Sequence, residues 1–326
     1  MLSLLLILCM AVTLLPTAAL AAEENNNTSS VPQGQTGLED SGNQGADEQP
    51  KAQNAPAPQE GEGGSVAVTS VEIEIKDDLQ TNESNGYTVD TKKTKSTQYA
   101  NTKLNVHILT ITKAGSYTLT KADGVKNLWC VEIAAENGKV ELTLSGVSLD
   151  VSTTGRNSEA GVPALSITGD CETVITLVDE NTLKGGVNCA GLQNGEHPVT
   201  ITGEGSLKAV GGDRGAGIGG GVNANGGNIT INGGNVTATG GLSGAGIGGG
   251  YDNQWSDGQY KPTADVGNGF NITITGGTVT ATGKNYGAGI GGGGFGDGTD
   301  ITITGGDVTA IGGFADKINC GGAGIG

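Results

Sequence analysis

GAGIGGG occupies residues 215–221, returns at residues 244–250 and 287–293, and begins again at Gly322. Each of the first three copies is followed by an isoleucine–threonine alternation, two glycines and a second short alternation such as VTAT at residues 236–239. A block that returns in a fixed order is typical of solenoids, in which each repeat packs on its neighbours. The repeat therefore indicates the fold class before any single residue does.

The spacing of the blocks predicts a right-handed parallel β-helix over residues 104–326, in an all-β protein. Successive blocks start 29, 43 and 35 residues apart, and the shortest step holds three apolar alternations separated by glycine turns. Three strands per coil would stack on the next coil at about 4.8 Å. Isoleucines of successive strands then point inward together with Ala216 and Ile218, and the glycines form corners. The last repeat stops at Gly326 without a polar cap, which predicts a truncated helix.

The first 64 residues are predicted to be an export signal followed by a spacer. Residues 1–21 combine an apolar run with a small-x-small pattern and are typical of a secretory signal peptide. Residues 22–64 contain no aromatic residue, four of the eight prolines and eight acids against Lys51, which predicts a disordered acidic linker.

The region at residues 65–103 is interpreted as an N-terminal strand followed by a loop, acting as a cap. Valine and isoleucine alternate with polar residues up to Ile75, with one slip at Ser70 that suggests a bulge. Residues 77–103 are polar and rich in lysine and threonine, and they are interpreted as a loop.

Composition narrows the class of partner. The formal net charge is -17, from 34 acidic and 17 basic residues. This balance disfavours nucleic acid, whose affinity depends on Lys and Arg at phosphates, and it disfavours anionic membrane surfaces. After signal cleavage no second stretch is apolar and long enough to insert into a membrane. A content of only 3% aromatic residues fits a narrow stack of Ile, Val and Ala.

The less regular region before the first GAGIGGG carries a family resemblance. Its segments, in order, are residues 111–119 (ITKAGSYTL), 140–147 (VELTLSGV), 174–177 (VITL), 181–183 (NTL) and 199–207 (VTITGEGSL). In that order they resemble the clostridial-type secreted carbohydrate-binding parallel β-helix family. The GAGIGGG section is similar to the repeat arrays of Firmicutes surface proteins. The resemblance implies a secreted polysaccharide-binding module, with cellulose or acidic plant glycans as ligands and calcium ions in surface loops.

One insertion departs from the repeat. The step after Gly244 is the longest because of residues 251–270, which hold four of the eleven aromatic residues. Sugar rings pack their C–H faces on aromatic rings, and their hydroxyls bond to carboxylates and amides, so a ligand platform is one hypothesis. The other is that the aromatics fold back over a corner. The candidate ligand-binding residues are Tyr251, Asp252, Trp255, Asp257 and Tyr260.

Calcium is a candidate cofactor, because hard oxygen ligands lie close together in two places. Asp252 with Asp257, and Asp297 with Asp300, are the candidate metal ligands. The competing interpretation is that these aspartates only form turns.

Catalysis has little support in the sequence. The only histidines, His107 and His197, lie far apart in different predicted coils. Arg156 and Arg214 lie in predicted loops, and Arg214 beside Asp213 is most simply a surface ion pair. We therefore expect no enzyme, and a pectin-type lyase or hydrolase is the minor alternative.

The cysteines of the mature chain leave two states open. Four cysteines allow three disulfide pairings, although packing as small inward-facing hydrophobes is favoured. They are Cys130, Cys171, Cys189 and Cys320.

The expected function is that of a non-catalytic polysaccharide-binding module, secreted to a bacterial cell surface and directed at plant cell-wall or host glycans. The alternative is a structural stalk or adhesin segment, in which the helix only holds another module away from the surface.

Overall fold

The computed structural model describes residues 69–95, 103–156, 159–251, 255–256, 259–260, 267–315 and 320–326. The predicted signal peptide (1–21) and acidic linker (22–64) lie outside these ranges. No helix in the described ranges is long and apolar enough to cross a membrane.

Short strands, in many cases with alternating inward and outward side chains, make up the described chain. In chain order they are β1 Val71–Ile75, β2 Tyr87–Lys95, β3 Lys103–Ile111, β4 Gly115–Lys121, β5 Leu128–Ile133, β6 Lys139–Ser145, β7 Ser148–Asp150, β8 Leu165–Ile167, β9 Glu172–Val178, β10 Glu180–Lys184, β11 Leu192–Gln193, β12 Val199–Gly203, β13 Ser206–Val210, β14 Ile218–Gly219, β15 Gly226–Ile231, β16 Asn235–Thr239, β17 Ile247–Gly248, β18 Trp255–Ser256, β19 Gln259–Tyr260, β20 Gly269–Ile274, β21 Thr278–Thr282, β22 Ile290–Gly291, β23 Gly298–Ile303, β24 Asp307–Ile311, β25 Phe314–Ala315 and β26 Cys320–Gly321.

Three long sheets run along the molecule and make it a parallel β-helix. The first has the order β1-β4-β6-β9-β12-β15-β20-β23, and the second has the order β7-β10-β13-β16-β21-β24. The third has the order β2-β3-β5-β8-β11-β14-β17-β22. From β6 onward the chain passes from the first sheet to the second, to the third and back, once per coil. The expected three strands per coil and the parallel stacking are confirmed.

The repeat is held by in-register ladders of identical residues. Ile229 pairs with Ile272, which pairs with Ile301 in the next coil, and their neighbouring threonines pair in the same way. Ile229 and Ile272 are fully buried, whereas Thr230 and Thr273 are half-buried on the outer face. The predicted inward isoleucines and outward threonines are therefore confirmed. Burying such a side chain contributes about 1.5–3 kcal/mol.

GAGIGGG supplies the two-residue strands β14, β17 and β22 of the third sheet, and the predicted positive φ occurs at a glycine in each of them. Ala216 and Ile218 are fully buried. Gly219 has φ +133°, and a Cβ there would overlap the carbonyl group of Gly248 in the next coil. Only glycine permits both this backbone conformation and this approach of one coil to the next.

An earlier, degenerate copy of this block precedes the first GAGIGGG. Leu192 pairs in register with Ile218, and Gln193 pairs with Gly219. Residues 189–193 (CAGLQ) therefore occupy the position of GAGIG one coil earlier. The sequence signal for this copy is an alanine, a glycine and a branched apolar residue in the same order as in GAGIG. The copy is hard to recognise because it contains fewer glycines than the later ones.

The loop interpretation of residues 77–103 is wrong over Tyr87–Lys95. Those residues form β2, which pairs antiparallel with β3 over its whole length. Tyr87 is buried and Val89 packs against the core, so the first half of one face of this lysine- and threonine-rich segment is apolar. A few inward-facing apolar residues are enough to form a strand, even where the outward-facing residues are of the polar types common in loops.

The cysteines whose side chains are described pack as buried thiols, which agrees with the favoured interpretation. Cys130, Cys171 and Cys189 are all free and buried. The Sγ atom of Cys171 lies 3.6 Å from the Oγ1 atom of Thr173, which is also fully buried. The Cys320 side chain lies outside the description.

Candidate functional site

Four described candidate residues belong to turns between the third and first sheets: Tyr251, Trp255, Tyr260 and Asp297. We name the turns after β8, β11, β14, β17 and β22, which lead from the third sheet back to the first sheet, the return corner. It consists of residues 168–171, 194–198, 220–225, 249–268 and 292–297. The insertion predicted from the long step is the fourth of these turns, and Asp297 ends the fifth.

The insertion contains a small hairpin of its own. The backbones of Trp255 and Tyr260 pair antiparallel with each other in β18 and β19. These two candidate residues thus lie directly opposite each other in the two strands of the hairpin. Asp252 and Asp257, which were predicted as ligands for glycan and calcium, lie outside the described residues.

Tyr251 belongs to a cluster of three aromatic rings that we name the aromatic trio: Tyr251, Tyr286 and Phe295. The ring centroid of Phe295 lies 6.1 Å from that of Tyr251 and 5.8 Å from that of Tyr286. Both pairs are tilted, at 44° and 32°, within the range of favourable aromatic packing. Sequence reasoning missed Tyr286 and Phe295, because they come from outside the insertion.

Phe295 is unusual in both exposure and backbone. Its side chain is 55% exposed, and its φ is +71°. The left-handed conformation costs a residue with a side chain about 1–2 kcal/mol, and a bulky residue that adopts it is a genuine outlier. Strain of this kind clusters at binding sites. A lone phenylalanine in a glycine run (GGGGFGDG, residues 291–298) was the available sequence signal.

Phe270, at the end of the insertion, lies on the preceding coil. It pairs in register with Gly227, and a Cβ on Gly227 would meet the Phe270 ring at 2.6 Å. The ring therefore covers the bare backbone of Gly227 and is half-buried. Phe270 thus packs on the neighbouring strand of the first sheet, one coil earlier.

Two ladders of asparagine and aspartate follow the return corner. Asn225, Asn268 and Asp297 form the first ladder: the Asn268 N–H donates to Asn225 Oδ1 at 3.0 Å, and the Asp297 N–H donates to Asn268 Oδ1 at 2.8 Å. The members of the second ladder all have a left-handed backbone, and Asn271 Nδ2 donates to Asn228 Oδ1 at 2.6 Å. The second ladder consists of Asn228, Asn271 and Asp300.

Asp297 and Asp300 have a structural role as members of these ladders. Asn and Asp tolerate the left-handed conformation better than other residues with a side chain, so such a column is a natural corner. Within the described ranges, no three His, Cys, Asp or Glu side chains come together as a metal ion would require. Asp297 ends the turn before β23, and Asp300 lies within β23 with a left-handed backbone.

The two histidines lie in different surroundings. His107 stacks on Trp129 with ring centroids 4.9 Å apart, and its Nδ1 lies 3.2 Å from the Thr91 hydroxyl. His197 lies on the return corner, with Nδ1 3.7 Å from the Asp170 carboxylate.

Arg214 forms the predicted pair with Asp213 at 3.8 Å. Both side chains are partly exposed, at 29% and 45%, so the pair contributes little to stability.

Comparison with known families agrees with this architecture. A family model described as a beta helix repeat matches residues 199–222, 229–251, 272–294 and 301–326. Each match begins at the same rung of the first sheet, since Val199, Ile229, Ile272 and Ile301 are register partners. No curated protein and no solved structure matches the chain. The fold and the repeat together define the class as a parallel β-helix protein.

Proposed function

We propose that this protein is a secreted or cell-surface module that binds polysaccharide without cleaving it, and that the aromatic trio is part of its binding platform. The carrying observation is the exposed ring of Phe295, held in a strained backbone and flanked by Tyr251 and Tyr286. Exposed aromatic clusters of this kind mark interaction sites on soluble proteins.

The chemistry of the trio suits a pyranose ring. The C–H face of a sugar packs against aromatic faces, and aromatic side chains provide large contact area at low entropic cost. The hairpin of Trp255 and Tyr260 belongs to the same turn as Tyr251, so we include both residues in the platform. Asp252 and Asp257 complete the proposed ligand set as hydrogen-bonding partners for sugar hydroxyls.

The wider proposal follows the sequence. Residues 1–21 direct export, residues 22–64 form a solvated spacer, and the coil is right-handed. The resemblance to the clostridial-type carbohydrate-binding family supports a bacterial cell-surface location and a plant cell-wall or host glycan as partner. Calcium, held by aspartates of the long turn and by Asp297 and Asp300, remains a candidate cofactor of the platform.

Pull-down on insoluble polysaccharides tests the platform. We expect Phe295→Ala and Tyr251→Ala to reduce retention about tenfold or more, because each removes a stacking surface. Phe314→Ala is the matched control, since Phe314 is 60% exposed and is not in the trio. Equal retention of all three variants, with unchanged circular dichroism, would contradict the platform.

A glycan array separates this function from the alternative. The in-register ladders of the three sheets form a continuous stack, which favours a structural stalk as the second candidate. If no glycan on the array binds the wild-type protein, the stalk replaces the binding module.

A further inference from the structure

A groove of about 700 Å³ crosses three coils at the return corner, one end of it on the turn before β9. Its walls come from the turns 168–171, 194–198 and 220–225 and from the strand ends beside them. The polar side chains that matter are Asp170, Glu172, Gln193, Asn194, Glu196 and His197. None of the described residues of the insertion, and none of the aromatic trio, lines the groove.

The wall of the groove contains a buried, incompletely bonded amide. Asn194 is 1% exposed, and its Nδ2 donates to the carbonyl oxygens of His197 and Gly227, each at 2.7 Å. Its Oδ1 is buried and accepts no hydrogen bond from the described residues. Buried polar atoms are almost always paired, so this atom marks a place for a donor from a ligand or a water molecule.

The charged side chains among the described lining residues are mostly acidic. Asp170, Glu172 and Glu196 carry exposed carboxylates, and the described lining residues include no lysine or arginine. Lys139, the register partner of Glu172, lies one strand away. His197 approaches Asp170 at 3.7 Å and so links two adjacent coils. Carboxylates bond well to sugar hydroxyls, whereas like charges placed close together cost several kcal/mol.

An aromatic ring lies one coil beyond the groove. The Gly227 carbonyl oxygen accepts a hydrogen bond from Asn194 Nδ2, and the Phe270 ring packs on the Gly227 backbone. His197 stands beside Gly227 in the same row of residues, because Val199 and Ile229 are register partners. Three inter-strand steps separate the coil of Asp170 from that of Phe270, about 14 Å along the helix axis. An extended ligand of several rings fits this length, with polar groups at one end and an aromatic face at the other.

We propose that this groove is a second glycan site, which takes an uncharged pyranose chain lying along the helix axis and excludes uronate polymers. The inference depends on the proposed polysaccharide binding and deepens it by naming the ligand class. The carboxylates accept hydrogen bonds from neutral sugar hydroxyls, and Phe270 packs on the next ring. A uronate would place its own carboxylates against Asp170, Glu172 and Glu196.

Calorimetric titration with soluble oligosaccharides tests the assignment. The probes are neutral hexasaccharides of glucose, xylose, mannose and galactose and a hexasaccharide of galacturonate, each in chelator and in millimolar calcium. We expect one or more neutral probes to bind and the galacturonate to bind at least tenfold more weakly. Asp170→Asn combined with Glu172→Gln should weaken the neutral probe about tenfold, since amide acceptors bond less strongly than carboxylates.

The control removes the same charge elsewhere. Glu180→Gln combined with Glu204→Gln changes two exposed carboxylates where the first sheet turns into the second. If the groove variant and this control bind the neutral probes equally, or if galacturonate binds the wild-type protein as tightly as they do, the groove assignment falls. The platform would still stand if Phe295→Ala then abolished retention on insoluble polysaccharide. If the wild-type protein binds no probe and no insoluble polysaccharide, both proposals fall.

Discussion

The contact between Phe270 and Gly227 predicts a substitution whose effect on stability changes sign. Gly227 has no positive φ, so its backbone accepts alanine, and a glycine-to-alanine change at such a position stabilises by about 0.4–1 kcal/mol. In the wild-type protein, however, the new methyl group would lie 2.6 Å from Cε2 of Phe270. The ring must therefore move away from Gly227, and it loses its packing on that residue.

The magnitude follows from the burial of that ring. Full burial of a phenylalanine side chain contributes about 1.5–3 kcal/mol, and Phe270 is half-buried, so its displacement costs about 1–1.5 kcal/mol. Gly227→Ala alone should therefore lower the free energy of unfolding by up to about 1 kcal/mol. In a Phe270→Ala background the same change should raise it by about 0.5 kcal/mol. The coupling energy between the two positions is thus about 1–1.5 kcal/mol.

A double-mutant cycle measured by thermal unfolding, followed by far-ultraviolet circular dichroism, checks this. For a domain of this size 1 kcal/mol corresponds to about 2–4 °C in Tm. The two single variants and the double variant are compared with the wild-type protein. If Gly227→Ala shifts Tm equally in both backgrounds, the Phe270 ring does not lie on Gly227, and the register of β15 with β20 would need revision.

Three further outcomes are expected. Gly248→Ala should destabilise by more than about 4 kcal/mol, because its φ is +127° and its Cβ would overlap a carbonyl group of the next coil. Gly124→Ala, at φ +73° in open space, should cost only about 1–2 kcal/mol. Chemical denaturation of the two variants compares these costs. Ile272→Ala should cost about 2–5 kcal/mol and Thr273→Ala less than about 1 kcal/mol, so similar values in urea unfolding would contradict inward isoleucines. Burial, and after it the charge of a nearby glutamate, raises the pKa of the Cys130 thiol to about 12, so iodoacetamide at pH 8.5 should not modify it in the folded protein, as peptide mass spectrometry would show. The unfolded thiol has an ordinary pKa of 9.0 and ionises there, while the folded thiol keeps its proton, so the free energy of unfolding should fall as the pH rises above 9.

The repeat section could be predicted from its sequence almost completely. Each coil repeats the same residues at the same places, so the pairing of Ile229 with Ile272 follows from the alignment of the blocks. Alternation fixes which side chains face inward, and the glycines fix the corners, because both depend on local geometry. Where identity between coils fades, prediction fails: the strand at Tyr87–Lys95 was interpreted as a loop, since its apolar face rests on few residues.

The candidate site, too, could be predicted only in part from the sequence. The insertion was visible in the sequence as an interruption of the period, and it contains Tyr251, Trp255 and Tyr260. The partners of Tyr251 were not visible, because Tyr286 and Phe295 come from the next coil.

The sequence by itself determined the architecture of this protein: a β-helix with inward isoleucines, glycine corners and one long insertion. Only the tertiary structure decided which turns meet at the return corner. Stacking places residues one coil apart at about 4.8 Å, however many residues separate them along the chain. The 27 residues from Asp170 to His197 and the 43 from Gly227 to Phe270 both become single steps of the stack. The turn lengths differ from coil to coil, so the groove and the Phe270 ring beside it appear only when the coils are stacked.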